Sequence, residues 1–341
     1  MKTDELYNIL YHELVNIAPQ SRFYSIREIM RRFSVNQRAA VKVIRILEKK
    51  GFVECRPHIG IFCTMKNSSF KRRLLFLALD WPSPILDLWK EQLRKAAEKS
   101  GKWILHSVSS PSETPIPKIA VAGYDAVCIN RPAVQNREYM KWLLNFNIPV
   151  VLTGCRTGDF HINTVNGMDE FSGNILAKYL YDRGHRQVLL FNSEPENSCI
   201  RLRKEGFCNM AELLGMQVIQ LDCHTSLGEF SLLRGYEYLR GCIEEYKGKF
   251  SAVFMTTSSM ASGVYKALRE HGLRIPEDIS VVGCDRSDPG GIDPPLTRIQ
   301  YPESPEETVL KQLESLFAGE IDCFHTEIRT TVYEGSSVKK L

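Results

Sequence analysis

From residue 73 onward, short apolar runs alternate with amphipathic stretches of helical period. That alternation restricts the fold of this 341-residue chain more than any other feature. The runs at 74–79, 103–108, 126–130, 149–153, 187–191, 217–221, 252–255 and 279–283 have the length and near-continuous apolarity of strands buried on both faces. The stretches at 85–100, 137–146, 170–182, 199–214, 231–246, 259–271 and 305–318 have helical spacing, and Gly101, Gly215 and Gly272 stop three of them. Strand–helix units in series predict an α/β fold of doubly wound parallel sheets, and the length allows two such lobes. Ligands of open parallel sheets bind outside the carboxyl ends of the strands. Those ends carry Asp80-Trp81, Asn130-Arg131, Thr153, Asn192-Ser193, Thr256-Thr257 and Asp285. Hydrogen-bonding groups beside a large aromatic face suit a polyhydroxylated ligand, whose hydroxyls need partners and whose C–H face needs a flat apolar surface.

The first 66 residues differ in charge from the rest. They hold 12 Lys/Arg against 6 Asp/Glu, leaving 32 against 34 in the remainder. A small basic segment ahead of a near-neutral body predicts a polyanion-binding module. Leu6, Ile9, Leu10, Leu14 and Ile17 make one helical stripe before Pro19. Ser25-Ile26-Arg27-Glu28 has the form of a capping box and opens a second helix running to about Phe33. After the corner Ser34-Val35-Asn36, with Asn36 as N-cap, Ala40, Val43, Ile44 and Leu47 form the buried stripe of a third helix that Gly51 ends. Residues 52–56 and 61–63 predict a hairpin whose tip is Pro57-His58-Ile59-Gly60. The expected head, residues 1–66, is a winged helix-turn-helix, joined by a polar linker at 67–72 to a body at 73–335. In such a head the third helix enters the major groove and the wing follows the backbone or minor groove. The candidate DNA contacts are Ser25, Arg27, Asn36, Gln37, Arg38, Lys42, Arg45, Arg56 and His58, since Gln and Arg pair with base edges and Lys with phosphates.

The head resembles the DNA-binding domain of the GntR family through Ser25-x-Arg27-Glu28-Ile29, Val35-Asn36-Gln37, Leu47-x-x-x-Gly51-Phe52-Val53-Glu54 and Gly60-Ile61-Phe62. The body resembles the sensor domain of the LacI/GalR family, which is related to periplasmic sugar-binding proteins. The matching residues include Tyr124-Asp125-Ala126-Val127, Gly184-His185-Arg186, Arg201-x-Arg203-x-x-Gly206-Phe207, Met260-Ala261-x-Gly263, Ile275 through Asp285, and Pro294-Pro295-Leu296-Thr297. The resemblance implies a two-lobed periplasmic-binding-protein-like body and assigns ligand contacts to Arg201 and Asp285. It also places Trp81 and Ser83 in the pocket-lining loop after the first strand, and Thr257 where the family commonly has a more polar residue. With Asn130, these make the candidate effector site Trp81, Ser83, Asn130, Arg201, Thr257 and Asp285. His185 reads as a structural residue at a helix end.

No Gly-x-Ser-x-Gly, phosphate-loop or His-Glu-x-x-His motif is present, and Gly154-Cys155-Arg156-Thr157-Gly158 lacks the lysine a phosphate loop uses. Ten scattered cysteines form no Cys-x-x-Cys pair, so neither metal nor cofactor is expected. The longest apolar run, residues 74–79, is too short to span a bilayer. The sequence therefore reads as a cytoplasmic, non-enzymatic transcriptional regulator. It would be a homodimeric repressor holding double-stranded operator DNA and controlled by a small molecule, with a sugar as the expected effector. A solute-binding receptor of a sugar transport system, or a regulator sensing a purine or other non-sugar metabolite, stand as alternatives.

Overall fold

The computed structural model describes residues 3–15, 17, 20–57, 59–64, 71–110, 121, 123–130, 141, 143–154, 161–226 and 228–341. Three helices come first: α1 (Thr3–Val15), α2 (Ile26–Phe33) and α3 (Gln37–Lys49). The antiparallel strands β1 (Val53–Arg56) and β2 (Gly60–Cys63) follow, with Val53 opposite Cys63. The capping box forms as the sequence predicts: Glu28 N donates to Ser25 Oγ at 3.3 Å and Ser25 N to Glu28 Oε2 at 2.7 Å. Ser34 turns the chain in a left-handed conformation (φ 51°), and Ala39 N donates to Asn36 Oδ1 at 2.9 Å to start α3. Leu6, Leu10, Leu14, Ile29, Val43, Leu47 and Ile61 close one small core. His58, at the expected hairpin tip, lies outside the described residues.

The body contains two six-stranded sheets. The first runs in the order β13-β7-β6-β5-β3-β4. Its members are β3 (Arg72–Leu79), β4 (Trp103–Ser110), β5 (Ala126–Asn130), β6 (Val150–Thr153), β7 (Asn163–Gly167) and β13 (His325–Ile328), all parallel. The second, β14-β12-β11-β10-β8-β9, joins β8 (Gln187–Asn192), β9 (Gln217–Asp222), β10 (Ala252–Met255), β11 (Ser280–Gly283) and β12 (Thr297–Gln300) in parallel. The antiparallel strand β14 (Thr331–Tyr333) completes it. Helices α4 (Pro84–Ser100), α5 (Asp169–Asp182), α6 (Ser198–Leu213), α7 (Ser231–Tyr246), α8 (Ala261–Glu270) and α9 (Pro305–Phe317) are interleaved. This is the α/β two-lobed, periplasmic-binding-protein-like architecture with parallel sheets.

The central strands of both sheets are buried on both faces. In β3, Leu74, Phe76 and Ala78 enter one core while Leu75 and Leu77 enter another. In β10, Val253 and Met255 face one cluster, Ala252 and Phe254 the other. Successive side chains point to opposite faces of a strand, so an unbroken apolar run is what such a position requires.

Four strands lie where the sequence gives no strand signal: β7, β12, β13 and β14. In β7 the polar residues are satisfied inside the sheet, since Asn163 Nδ2 donates to Val150 O at 3.0 Å and Phe324 N to Asn163 Oδ1 at 3.1 Å. The chain passes between the lobes just after β7, after β12 and between β13 and β14, so the crossings coincide with the strands that carry least apolar signal. Two expected boundaries also move. Strand β3 begins at Arg72, inside the expected linker, while residues 65–70 lie outside the described set. The body extends past 335: Val281 N donates to Ser337 O at 2.8 Å and Leu341 N to Arg183 O at 2.8 Å, which holds the tail on the second lobe. The expected helix 137–146 falls largely on residues outside the described set. Among the described residues no helix is long and apolar enough to cross a membrane.

His185 sits at the end of α5, fully buried, with Nδ1 against Ser251 Oγ at 2.8 Å. Burial lowers its pKa from 6.5 to about 4. The unfolded chain therefore binds a proton that the folded chain rejects across this window, so the stability His185 contributes is present above pH 6.5 and lost as pH falls toward 4. The urea midpoint should drop over that range, and less steeply in His185→Asn. A second prediction concerns helix contact. A Cβ on Gly206 would stand 2.0 Å from the Glu170 carbonyl oxygen, and one on Gly173 2.3 Å from that of Arg203, so α5 and α6 touch backbone to backbone. Gly206→Ala should cost about 1–3 kcal/mol in urea unfolding, as overpacking of a close contact does.

Candidate effector cleft and head surface

The carboxyl ends of both sheets face each other across a cavity of about 120 Å³. From the first lobe, Trp81 and Ser83 follow β3, Asn130 ends β5, Gly154 follows β6, and Asn166 and Gly167 end β7. From the second come Glu194 after β8, Asn197 just before α6 and Arg203 on it, Thr257 after β10, and Asp285 and Arg286 after β11. Asp169 opens α5, and Tyr301 lies on the crossing after β12. The topology puts these groups together, because strand ends of two doubly wound sheets turned toward one another enclose a cleft.

Five of the six residues expected to contact the effector line this cavity: Trp81, Ser83, Asn130, Thr257 and Asp285. Arg201 does not. Its side chain is 53% exposed and pairs with Glu205 on the next turn of α6 at 3.0 Å. Arg203 occupies the cleft instead, because two positions along a helix turn the side chain by roughly 200°. The guanidinium of Arg203 is 11% exposed; Nε donates to Asp169 Oδ1 at 2.8 Å, Nη1 donates to Thr256 O at 3.1 Å and lies 4.0 Å from Asp285 Oδ2. Asn197 caps α6 by accepting from Cys199 N and Ile200 N, which fixes the phase that turns Arg203 inward. Asp285 Oδ1 also accepts from Ser287 N at 2.9 Å, so it organises its own turn while facing the cavity.

Glu194 was not singled out by sequence reasoning. Its carboxylate accepts from Ser231 Oγ at 2.8 Å, Ser259 Oγ at 3.0 Å and Thr257 Oγ1 at 3.2 Å. Burial raises its pKa, opposed by those hydroxyls and reinforced by the charge of Asp285. Arg286 was also missed. It pairs with Glu306, which is 0% exposed at the start of α9, and its guanidinium lies 5.1 Å from the ring centre of Trp89 and 5.5 Å from that of Tyr301. Both follow directly on strand ends that the sequence does mark. Asp169 carried no such mark, since it follows the polar strand β7. Among the described residues two contacts cross the cleft mouth: Trp81 Nε1 donates to Glu229 O at 3.0 Å, and Cys199 Sγ to Gly154 O at 3.2 Å.

On the head, Gln37, Arg38, Lys42 and Arg45 are exposed and line one groove along α3 with Lys49. Arg27 is exposed beside Arg22 and Arg31 in a second groove at the start of α2. Ser25 and Asn36 engage their side chains in helix caps. Arg56 is held on the hairpin, donating to Glu54 Oε2 at 2.8 Å and Gln20 Oε1 at 2.7 Å with its guanidinium over Phe62.

Arg203→Ala should destabilise the protein by about 3–5 kcal/mol, because it leaves Asp169 buried without its counter-charge. Arg201→Ala, which breaks only an exposed pair, should cost under about 1 kcal/mol. Guanidinium unfolding of the two variants checks the distinction; equal losses would contradict the assignment of Arg203 to the cleft.

Comparison with known proteins places this geometry among described ones. The periplasmic binding protein-like domain family matches residues 177–338. The ribose operon repressor of Escherichia coli (strain K12) is 27% identical over 157 residues, covering 46% of this chain and 47% of that protein. The HTH-type transcriptional repressor PurR of Histophilus somni (strain 129Pt) is 33% identical over 153 residues, covering 43% and 44%. The chain thus spans about half the length of the curated relatives it matches. Among solved structures, a LacI family transcriptional regulator from Enterococcus faecium with bound ribose superposes with a TM-score of 0.67 at 21% identity, covering 79% of this chain and 100% of that one. The lactose repressor bound to the anti-inducer ONPF gives 0.63 at 20% identity, covering 78% and 99%. At these identities the structural likeness establishes the fold.

Proposed function

We propose that this chain is a DNA-binding transcriptional repressor whose hold on its operator is set by a small carbohydrate bound between the two lobes. The observation that carries the reading is the combination in one chain of an exposed cationic helix face on a small basic head and a polar, aromatic-lined cleft between two doubly wound lobes. Similarity to ribose and purine repressors supports the regulatory role, and the ribose bound by a structural neighbour supports a sugar as effector.

The head is a winged helix-turn-helix of the GntR type in this reading. Three helices followed by a two-stranded hairpin, with the capping box and the Ser34 corner formed, support it. Gln37, Arg38, Lys42 and Arg45 then enter the major groove, and Arg27 takes a phosphate at the start of α2. Two copies pair through the body, so that two heads meet a palindromic operator. In the cleft, Arg203, Asp285, Asn130 and Thr257 bond the hydroxyls while Trp81 covers the C–H face.

A ligand shifts the equilibrium of such a protein only by its differential affinity for the two arrangements of the lobes, typically ~1–3 kcal/mol of coupling. Fluorescence anisotropy with duplexes from the organism's own genome, with and without a sugar panel, tests the whole reading. Arg38→Ala should weaken operator binding by about 1–3 kcal/mol and leave sugar affinity unchanged. The intact protein showing no salt-sensitive affinity for any such duplex would overturn the proposal.

A further inference from the structure

The cleft holds more carboxylates than cations. Arg203 faces Asp169 and Asp285, and Arg286 faces the buried Glu306. Glu194 is left over. The groups packed around its carboxylate are Ser231, Thr257 and Ser259, all neutral, and the further charge that bears on it is Asp285, of the same sign. Among the described residues no Lys, Arg or His side chain pairs with it. A partly buried carboxylate held by neutral hydroxyls alone is further stabilised by a cation placed beside it.

At Arg286 the need is opposite. Its Nε is buried and has no acceptor among the described residues, although the same guanidinium is already charge-neutralised by Glu306. A neutral oxygen, such as a hydroxyl, satisfies that donor without adding negative charge to a site that has an excess of it. Trp81 lines the same cavity, and an indole ring attracts a cation as well as a C–H surface.

Building on the carbohydrate reading of the cleft, we propose that the effector is an amino-bearing monosaccharide, with its protonated amine on Glu194 and a hydroxyl oxygen on Arg286 Nε, and that phosphorylated and acidic sugars are excluded. Burial raises the pKa of Glu194, the direction expected of a carboxylate that has no counter-charge beside it. An ammonium–carboxylate hydrogen bond exceeds a hydroxyl–carboxylate one by enough to give about a tenfold preference.

Isothermal titration of the full-length protein against glucose, galactose, mannose and ribose tests it, each sugar in its neutral, aminodeoxy and phosphorylated forms. The aminodeoxy form of the sugar that binds should be about tenfold tighter than its neutral parent, with the phosphorylated form weakest. Glu194→Gln keeps the shape and the hydroxyl partners and should bring the amino-to-neutral ratio to roughly one. A neutral or phosphorylated sugar binding as tightly as its amino form overturns the proposal, as does a preference that survives Glu194→Gln. If no member of the panel binds in any form, the carbohydrate reading itself is overturned and this inference falls with it, a result distinct from the loss of preference alone.

Discussion

A buried guanidinium organises the second lobe. Arg203 reaches from α6 to Asp169 at the start of α5, to the Thr256 carbonyl at the end of β10 and toward Asp285 at the end of β11. One side chain thus fixes the relative position of two helices and two strand ends. Burying a charge is unfavourable in itself, and it is tolerated here because Nε is paired with Asp169 and Nη1 bonds the Thr256 carbonyl with Asp285 close by. The close backbone contact at Gly173 and Gly206 is the geometric condition for this arrangement: with side chains there, α5 and α6 would stand further apart and Asp169 would not reach Arg203. Packing without a Cβ and pairing of buried charges are two halves of one constraint.

Most of the fold was legible because burial on both faces leaves a direct trace in the sequence. Strands β3, β5, β8 and β10 are nearly continuous apolar runs, and each lies within two residues of its expected bounds. The four strands that were not legible are short and carry Asn, Thr, Arg, His or Glu at positions satisfied by hydrogen bonds rather than by apolar contact. Polar residues in a sheet look like loop when only hydrophobicity is read. Their cost in legibility falls on the lobe crossings, and so on Asp169 and Tyr301, which enter the cleft from there.

The site was half visible for a similar reason. Residues at the ends of well-marked strands, Trp81, Asn130, Thr257 and Asp285, reach the cavity, whereas the assignment to Arg201 fails on helix phase. Once Asn197 is known as the N-cap, counting 100° per residue separates Arg201 from Arg203 by more than half a turn, so one faces solvent if the other faces the cleft. Glu194 and Arg286 were hidden by another circumstance: each is one step beyond a polar residue already read as the strand end, and their importance appears only when the charges of both lobes are counted together.

That count also bears on how the cleft communicates with the rest of the chain. Arg286 belongs to the second lobe and Glu306 to α9, which packs on the first, while Trp81 of the first lobe bonds the backbone of the second at Glu229. Each of these contacts spans the boundary between lobes. On the opposite side of the first lobe, Ile9, Glu13 and Arg32 of the head share a groove with Tyr124, Phe146, Ile148 and Phe317. Between that groove and the cleft run β3 and β5, parallel and buried on both faces. Packed sheets of this kind do not deform gradually; they move as rigid bodies. A rearrangement at the cleft would therefore take the form of a change in where the second lobe stands relative to the first.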